Sequence, residues 1–524
     1  MRPPHWPPPH ELSPAEQVIV ARIKRAKLFV FLRRVRHELF DAAFQEELAT
    51  IFRDSAEGRC PVPPAQLALV VILQAYTGAS DDEALEALVM DRRWQLALDC
   101  LDCAAAPFGK GTLVRFRALL IAHDLDRRLV ERTVETARQH GGFGPRQLRA
   151  ALDSSPLWGA GRVEDTDNLL GHAVGKALGV IARQQGRGLA DVAGEAGAAV
   201  VGGSSLKATL DLDWDDPTAR DRALQLVLAA LDAADAWLAT QPGADDDPVV
   251  QAGLTAAQEV RAQDVDTGAD GLPTLRHGVA ADRRISVEDG AMRHGRKSRS
   301  RRIDGDKRHV LCDVATTLVH AVGVTPANAP EATVTAAIAA DLRRQDVTLT
   351  ELHLDRAYLS STLVRARPAG LAIYCKAWPV QAGDRFPKTA FALDWEAGTI
   401  RCPNGVTRPF AAGGTVQFPA AGCAACPLRE RCTGSPQGRS VTIHPDERRL
   451  QELRERQHTP AGRAKLRERV AVEHTLAHVG YWQGARARYI GQRKNLFDLR
   501  RCGVVHHLHL IQRQRAESPT AAAA

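Results

Sequence analysis

Residues Glu351–Ser360 read ELHLDRAYLS. Leu352 and Leu354 alternate with Glu351 and His353 in the period of a half-buried strand, an aspartate, Asp355, stands where the alternation stops, and Tyr358 follows three residues later. Strand ends are where α/β sheets place ligands, so the question is whether other acids hold comparable positions. Upstream, RQLRAALDSSP (Arg146–Pro156) predicts a short strand leading to Asp153 and stopped by Ser-Ser-Pro. Between the two acids lie HVLCDVA and TLVHAVGVTP, an antiparallel pair across a turn near Thr316, and EATVTAAIAADLRRQ, a helix. GLAIYCK supplies a further strand after Asp355. Downstream, a helix over Ala461–Val479 carries Glu473, and Leu466, Val470, Glu473 and Ala477, spaced 4, 3 and 4, share one apolar face. An α/β class follows, a mixed sheet with flanking helices.

The rest of the chain arranges itself around that core. Residues 1–145 read as helical. PVPPAQLALVVILQAYTG has prolines at its mouth and Gly78 at its end, SDDEALEALV opens with Ser80 and Glu83 in capping-box spacing, and a long amphipathic helix spans Thr112–Gln139. They predict an N-terminal all-α domain, a candidate for DNA binding, although such helix pairs are commoner as plain bundles. The core is expected in three pieces, 146–156, 283–377 and 461–511. Residues 157–282, Ala-rich and acidic, read as a helical insertion, 378–460 as a small Cys-rich insertion, and 512–524 as a disordered tail.

Composition narrows the class. A chain of 524 residues that is 44% hydrophobic has room for three domains at ~150 residues each, which excludes fibrous and wholly disordered proteins. The longest apolar stretch, LALVVILQAY (Leu67–Tyr76), falls short of the ~18 residues of a membrane helix, and MRPPHWPPPHEL puts proline where a signal peptide would carry its apolar core. A cytoplasmic protein is expected. Charge is sorted along the sequence: Arg448–Arg501 holds 14 Lys/Arg against 5 Asp/Glu, Arg293–Arg308 holds 8 against 2, and Asp211–Val250 holds 2 against 10. Sorted positive charge raises the expectation of a phosphate-backbone partner, though any single Arg-rich run is more often a solvated face.

Three acids stand out: Asp153, Asp355 and Glu473. An unpaired carboxylate on a packing face costs several kcal/mol unless it is neutralised or binds a cation, and carboxylates gathered at strand ends suit Mg²⁺. Each acid also has a plainer reading. Asp153 can cap the turn before Pro156, Asp355 can cap the helix that follows, and Glu473 can pair with Arg469 one turn earlier. Asp313, Asp289 and Glu468 rank below the three, because Asp313 precedes a hairpin turn and Glu468 falls on a different helix face.

Two further patterns carry chemistry. Cys402, Cys423, Cys426 and Cys432 are separated by 20, 2 and 5 residues, and Cys-x-x-Cys is the tight half of a tetrahedral thiolate site, so structural Zn²⁺ is the favoured reading over four free thiols. Cys100 and Cys103, on a helical pattern without partners, read as core. RHGRKSRSRR (Arg293–Arg302), with Arg296, Lys297, Arg299, Arg301 and Arg302, is a candidate for phosphate contact, as is Lys307 just beyond it. GYWQGARARYIGQRKN interleaves Tyr481, Trp482 and Tyr489 with Arg486, Arg488, Arg493 and Lys494, a mixture able to stack and to neutralise, or else a turn whose aromatics are core.

Taken in order, ALDSSP, GDKRHVLCDVATTLVHAVGVTPANAPE, LHLDRAY and RVAVEHTLAHVGYWQGARARYIGQRKN resemble a DDE-type insertion-sequence transposase of bacteria, over roughly residues 40–511. The specific pieces are Asp355-x-x-Tyr358, Arg469-x-x-x-Glu473 and the G-x-K-x-H-like GDKRH. The N-terminal segment from Pro61 resembles the helical domain that precedes the core in one group of these enzymes. The resemblance implies a ribonuclease-H-like catalytic core, with Asp153, Asp355 and Glu473 holding two divalent metals, Mg²⁺ or Mn²⁺. It implies Arg469 as a phosphate clamp, Tyr358 beside the strand being cut unless it is a core tyrosine, and double-stranded DNA at transposon ends and target as the partner. A homodimer on paired ends and a nucleoid-associated location go with it. Related enzymes often carry lysine where this chain has Gly480. Two other functions stand beside transposition, a related metal nuclease that cuts without joining and a catalytically inactive DNA-binding repressor.

Overall fold

The computed structural model describes residues 2–53, 60–101, 103–140, 143, 147–203, 205–297, 300–380 and 382–517. Its centre is a six-stranded mixed sheet. In chain order the strands are β1 (Gln147–Trp158), β2 (Arg293–Arg296), β3 (Arg302–Asp313), β4 (Val319–Pro326), β5 (Thr348–Leu354) and β6 (Ala372–Tyr374). They lie in the order β2–β3–β1–β5–β6, with β4 also on β3. β3 is antiparallel to β1, β2 and β4, whereas β5 is parallel to both β1 and β6.

β1 corrects one expectation. It does not stop at Asp153 but runs through Ser154, Ser155 and Pro156 to Trp158. Register explains both the length and the proline. The parallel ladder to β5 ends at the Leu152–Leu354 pair, while the antiparallel ladder to β3 continues as far as Trp158–Gly305. Pro156, opposite Lys307, falls where β1 has already lost one neighbour, the half-free setting in which strands tolerate proline. Asp153 therefore stands at the end of one ladder and in the middle of the other.

The sheet has two covered faces. Leu148, Ala150 and Leu152 pack with Leu352, Leu354 and, from the Thr335–Arg344 helix, Ile338 and Leu342. Ala151, Val310 and Cys312 point the other way, onto Val472, Leu476 and Val479 of the Val470–Gln483 helix. Because successive side chains alternate, Asp153 shares the face of Ala151, Glu351 and His353 line up beside it on the neighbouring strand, and Asp355 follows directly after that strand ends. The period-two pattern thus delivers both aspartates to the same side, under the same helix.

Two expected long helices are each divided. The span Ala461–Val479 consists of Pro460–Arg467 and Val470–Gln483, joined at Glu468 and Arg469. The span Thr112–Gln139 consists of Lys110–Ala122 and Leu125–Gln139, broken at Asp124, whose φ is 56° and whose carboxylate accepts from Arg127 and Arg500. The N-terminal helices share a hydrophobic core with the long Gln492–Glu517 helix, in a cluster that reaches from Trp6 to Ile511. Residues 512–517 are accordingly helical, not a tail, and 518–524 lie outside the described residues.

Between β1 and β2 the helices Thr166–Gln185, Pro217–Leu238 and Pro248–Asp264 build a core of their own, followed by a short Val265–Thr267/Pro273–Leu275 hairpin that the sequence did not suggest. After β6 comes a small subdomain of three-residue strands. The Glu447–His458 helix, expected with that subdomain, instead sends Leu450 and Leu453 into the core under the main sheet. No helix among the described residues is long and apolar enough to cross a membrane.

Candidate active site

Asp153, Asp355 and Glu473 line one cleft of about 680 Å³, although 202 and 118 positions separate them in the sequence. Asp153 is the most enclosed. Burial raises its carboxyl above the usual range, the neighbouring Asp355 and Glu473 carboxylates add to the rise, and Arg469 draws it back. Asp355 caps the turn after β5, accepting the Arg356 N–H at 2.6 Å, so the capping reading and the cleft position hold together. Arg469 joins two of the acids, donating one arm to Asp153 and the other to Glu473 at 2.6 Å. Its guanidinium stands between carboxylates that would otherwise repel.

Glu473 reaches the cleft for a different reason from the one its spacing suggested. The packing face of its helix is Val472, Thr475, Leu476 and Val479, whereas Val470 is 43% exposed and the Glu473 side chain 50% exposed. The break at residues 468–469 separates Leu466 from Val470, and the Leu466–Val470–Glu473–Ala477 row is not a buried stripe. The carboxylate is open to the cleft and is not stranded in the core.

A second cleft, of about 1160 Å³, meets the first at Asp355, Arg469 and Glu473. Arg356, Lys376, Arg454, Arg463 and Arg467 stand on its walls, with Trp378 beside them. Arg296, Lys297, Lys307 and Arg308 stand on the walls of the first. Asp355 and Glu473 therefore occupy the junction of two basic-walled grooves, with Asp153 beside them in the first. Sequence reading passed over Arg356, Lys376, Arg463 and Arg467; the Arg463–Arg467 spacing, which puts both on one helix face inside the most basic run of the chain, was the available signal.

Residues 401–508 match the family model Transposase DDE domain, and residues 19–119 match Transposase domain (DUF772). These matches support a DDE-type insertion-sequence transposase. The first match takes in Arg469, Glu473 and the four clustered cysteines; Asp153 and Asp355 lie upstream of it. Neither a curated protein nor a solved structure matches the chain.

The chain also carries a Glu351–His353–Glu468 cluster whose ligand atoms lie within 4.8 Å of one another. Glu468 ranks low by sequence, and no motif joins it to Glu351 and His353. The protein's own cations fill this cluster. Lys465 reaches Glu351 at 2.9 Å and Glu468 at 3.4 Å, and Arg149 bonds both carboxylates. Burial opposes ionisation of Glu351, yet hydrogen bonds from Lys465 and Arg149 bring its carboxyl down to about 2. An ion-pair network seated this way ties β1 and β5 to the Pro460–Arg467 helix.

The predicted DNA contacts divide. Tyr358 is buried, with its hydroxyl 2.8 Å from His309 Nδ1, and His309 Nε2 in turn meets Thr325 at 2.9 Å. It is a core tyrosine, and the expectation that it touches DNA is withdrawn. Lys307, though on the cleft wall, is engaged by Glu331 at 2.9 Å and the Ala329 carbonyl. Arg493 is tied to Asp126 at 2.6 Å, so it braces helices and does not present itself to a ligand. Arg486 donates to the Gly159 and Ala160 carbonyls and Arg488 to that of Ala79, yet both remain exposed, as do Lys494, Arg301 and Arg302. Arg299 lies outside the described residues. Tyr481 is 76% exposed, whereas Trp482 stacks on His509 and Tyr489 packs edge-on to Phe497. At Gly480, a Cβ would lie 3.6 Å from Arg308 Nη1, so Arg308 borders the space that a longer side chain there would enter.

Proposed function

We propose that the protein binds the terminal inverted repeats of its own element, cleaves DNA at the ends and joins them to a target, with Asp153, Asp355 and Glu473 as the catalytic acids of a ribonuclease-H-like core. The observation that carries this reading is the convergence of three distant carboxylates in one basic-walled cleft, two of them where it opens into a second. The strand order β4–β3–β1–β5–β6, three antiparallel strands followed by two parallel ones, supports the core assignment.

The donor set suits hard divalent cations: three carboxylates in one cleft, with Asp153 held short of easy ionisation by burial and by its acidic neighbours. Asp153, Asp355 and Glu473 would hold Mg²⁺ or Mn²⁺, which would supply Lewis acidity for activating water or a 3′-hydroxyl and for stabilising the leaving oxygen of an in-line displacement. The chain's own residues do the positioning. Basic walls on either side neutralise the phosphates flanking the scissile bond, and Arg469, common to both grooves, is the guanidinium a phosphodiester would meet beside the acids. Two ends must be handled together in such a reaction, so a homodimer on paired ends goes with the proposal.

Asp355→Asn is the direct test. Cleavage of an end duplex should vanish while binding of the same duplex persists; cleavage at the wild-type rate would remove Asp355 from the reaction. Supplying pre-cut ends separates the alternatives, since a nuclease would leave them unjoined. A wild type that binds ends but never cuts them would point to a repressor.

A further inference from the structure

The four cysteines after β6 are the chemical feature that the proposed reaction leaves unused. Cys402 follows the Thr399–Arg401 strand at a tight turn, where its N–H meets the Val406 carbonyl at 2.9 Å and its carbonyl accepts from Gly405 at 2.9 Å. Gly405 has φ 85°, which a side chain would strain. Cys423 and Cys426 sit at the end of the Ala420–Ala424 turn, with the Cys426 N–H on the Cys423 carbonyl at 3.3 Å. Cys432 closes the Arg429–Cys432 turn. Three separate segments thus bring four thiols to the wall of one cavity of about 60 Å³, and none of the four is in a disulfide.

Three further observations point to an ion. The Leu428 N–H is aimed at Cys426 Sγ at 3.4 Å, a donor that favours a thiolate. Arg429 and Arg439 line the same cavity, placing positive charge beside sulfurs that would be negative together. The subdomain is also short of apolar material: six buried side chains, Phe391, Ile400, Val416, Phe418, Val441 and Ile443, underlie strands of three residues each. Scaffolds of that size are ordinarily secured by a metal or by disulfides.

We infer that Cys402, Cys423, Cys426 and Cys432 form a structural zinc site that holds this subdomain together. Four cysteine thiolates are the donor set of closed structural zinc sites, and soft sulfur discriminates against the Mg²⁺ that the carboxylates would take. The inference stands whether or not the protein transposes DNA.

Full-length protein purified without chelator should carry one zinc per chain, and Cys423→Ser should lose it while Cys60→Ser, at an exposed cysteine outside the subdomain, keeps it. Should Cys423→Ser fail to fold, the wild type still decides. Exchange of its metal for cobalt should give the intense visible bands of a tetrahedral tetrathiolate, and the four thiols should react with a disulfide reagent only after chelation. Protein free of zinc whose four cysteines react as fast as Cys60, two disulfides among the four, or iron with acid-labile sulfide would each overturn the assignment.

Discussion

Arg469 touches two carboxylates that the fold sets close together, and its loss should be felt in the reaction more than in the fold. Arg469→Gln is expected to lower end cleavage by roughly 100-fold, the usual effect of deleting one electrostatic contact at a reacting centre, with the melting temperature little changed. Tyr358 behaves in the opposite way. Tyr358→Phe leaves His309 Nδ1 buried without its partner, which should cost about 1–3 kcal/mol in urea unfolding and leave the affinity for end DNA unaltered. How legible such residues were depends on what surrounds them. Asp355 could be found because alternation ends visibly before it. Tyr358 was ambiguous because nothing local distinguishes an aromatic beside DNA from one that meets a histidine 49 positions away.

At the scale of elements, breaks and registers were what the sequence concealed. The Lys110–Ala122 and Leu125–Gln139 helices look continuous in periodicity, but Asp124 adopts a left-handed backbone and answers to Arg500, 376 positions on. The end of β1 was hidden likewise, because Ser-Ser-Pro stops a strand only where both neighbours persist. The packing of histidines around the Gln492–Glu517 helix gives an element-level prediction. His506 is bonded to His478 and to the Thr317 carbonyl, and burial lowers it to about 4; His320, on the neighbouring strand β4, is also lowered by burial to about 4. Their folded values lie below the unfolded value of about 6.5, so above that pH they contribute their full stability. As pH falls from about 6.5 to about 4 the unfolded chain takes up protons that the native state refuses, and stability should decline by at most about 1.4 kcal/mol per pH unit for each. Urea midpoints measured across this window should fall with acid, and His506→Gln should flatten the slope.

For the whole molecule, the grooves should govern DNA affinity through charge. Binding of end duplexes should weaken steeply with salt, and replacing Arg463 and Arg467 with alanine should reduce the slope of log K against log salt by about 2, close to one per phosphate contact removed. A slope identical to wild type would take those two arginines out of the interface. Sorted charge along the chain announced such a surface, but its shape came from three distant segments, β3, the turn after β5 and the Pro460–Arg467 helix, which no local pattern connects. The same reach across the sequence sets the timetable of folding. Since the core that begins at Trp6 is completed by side chains near residue 511, a growing chain has to shelter the apolar stripes of its first helices until almost everything else has left the ribosome. Helpers that mask exposed hydrophobic surface during synthesis should matter more to the yield of this protein than to that of one whose leading domain closes on itself.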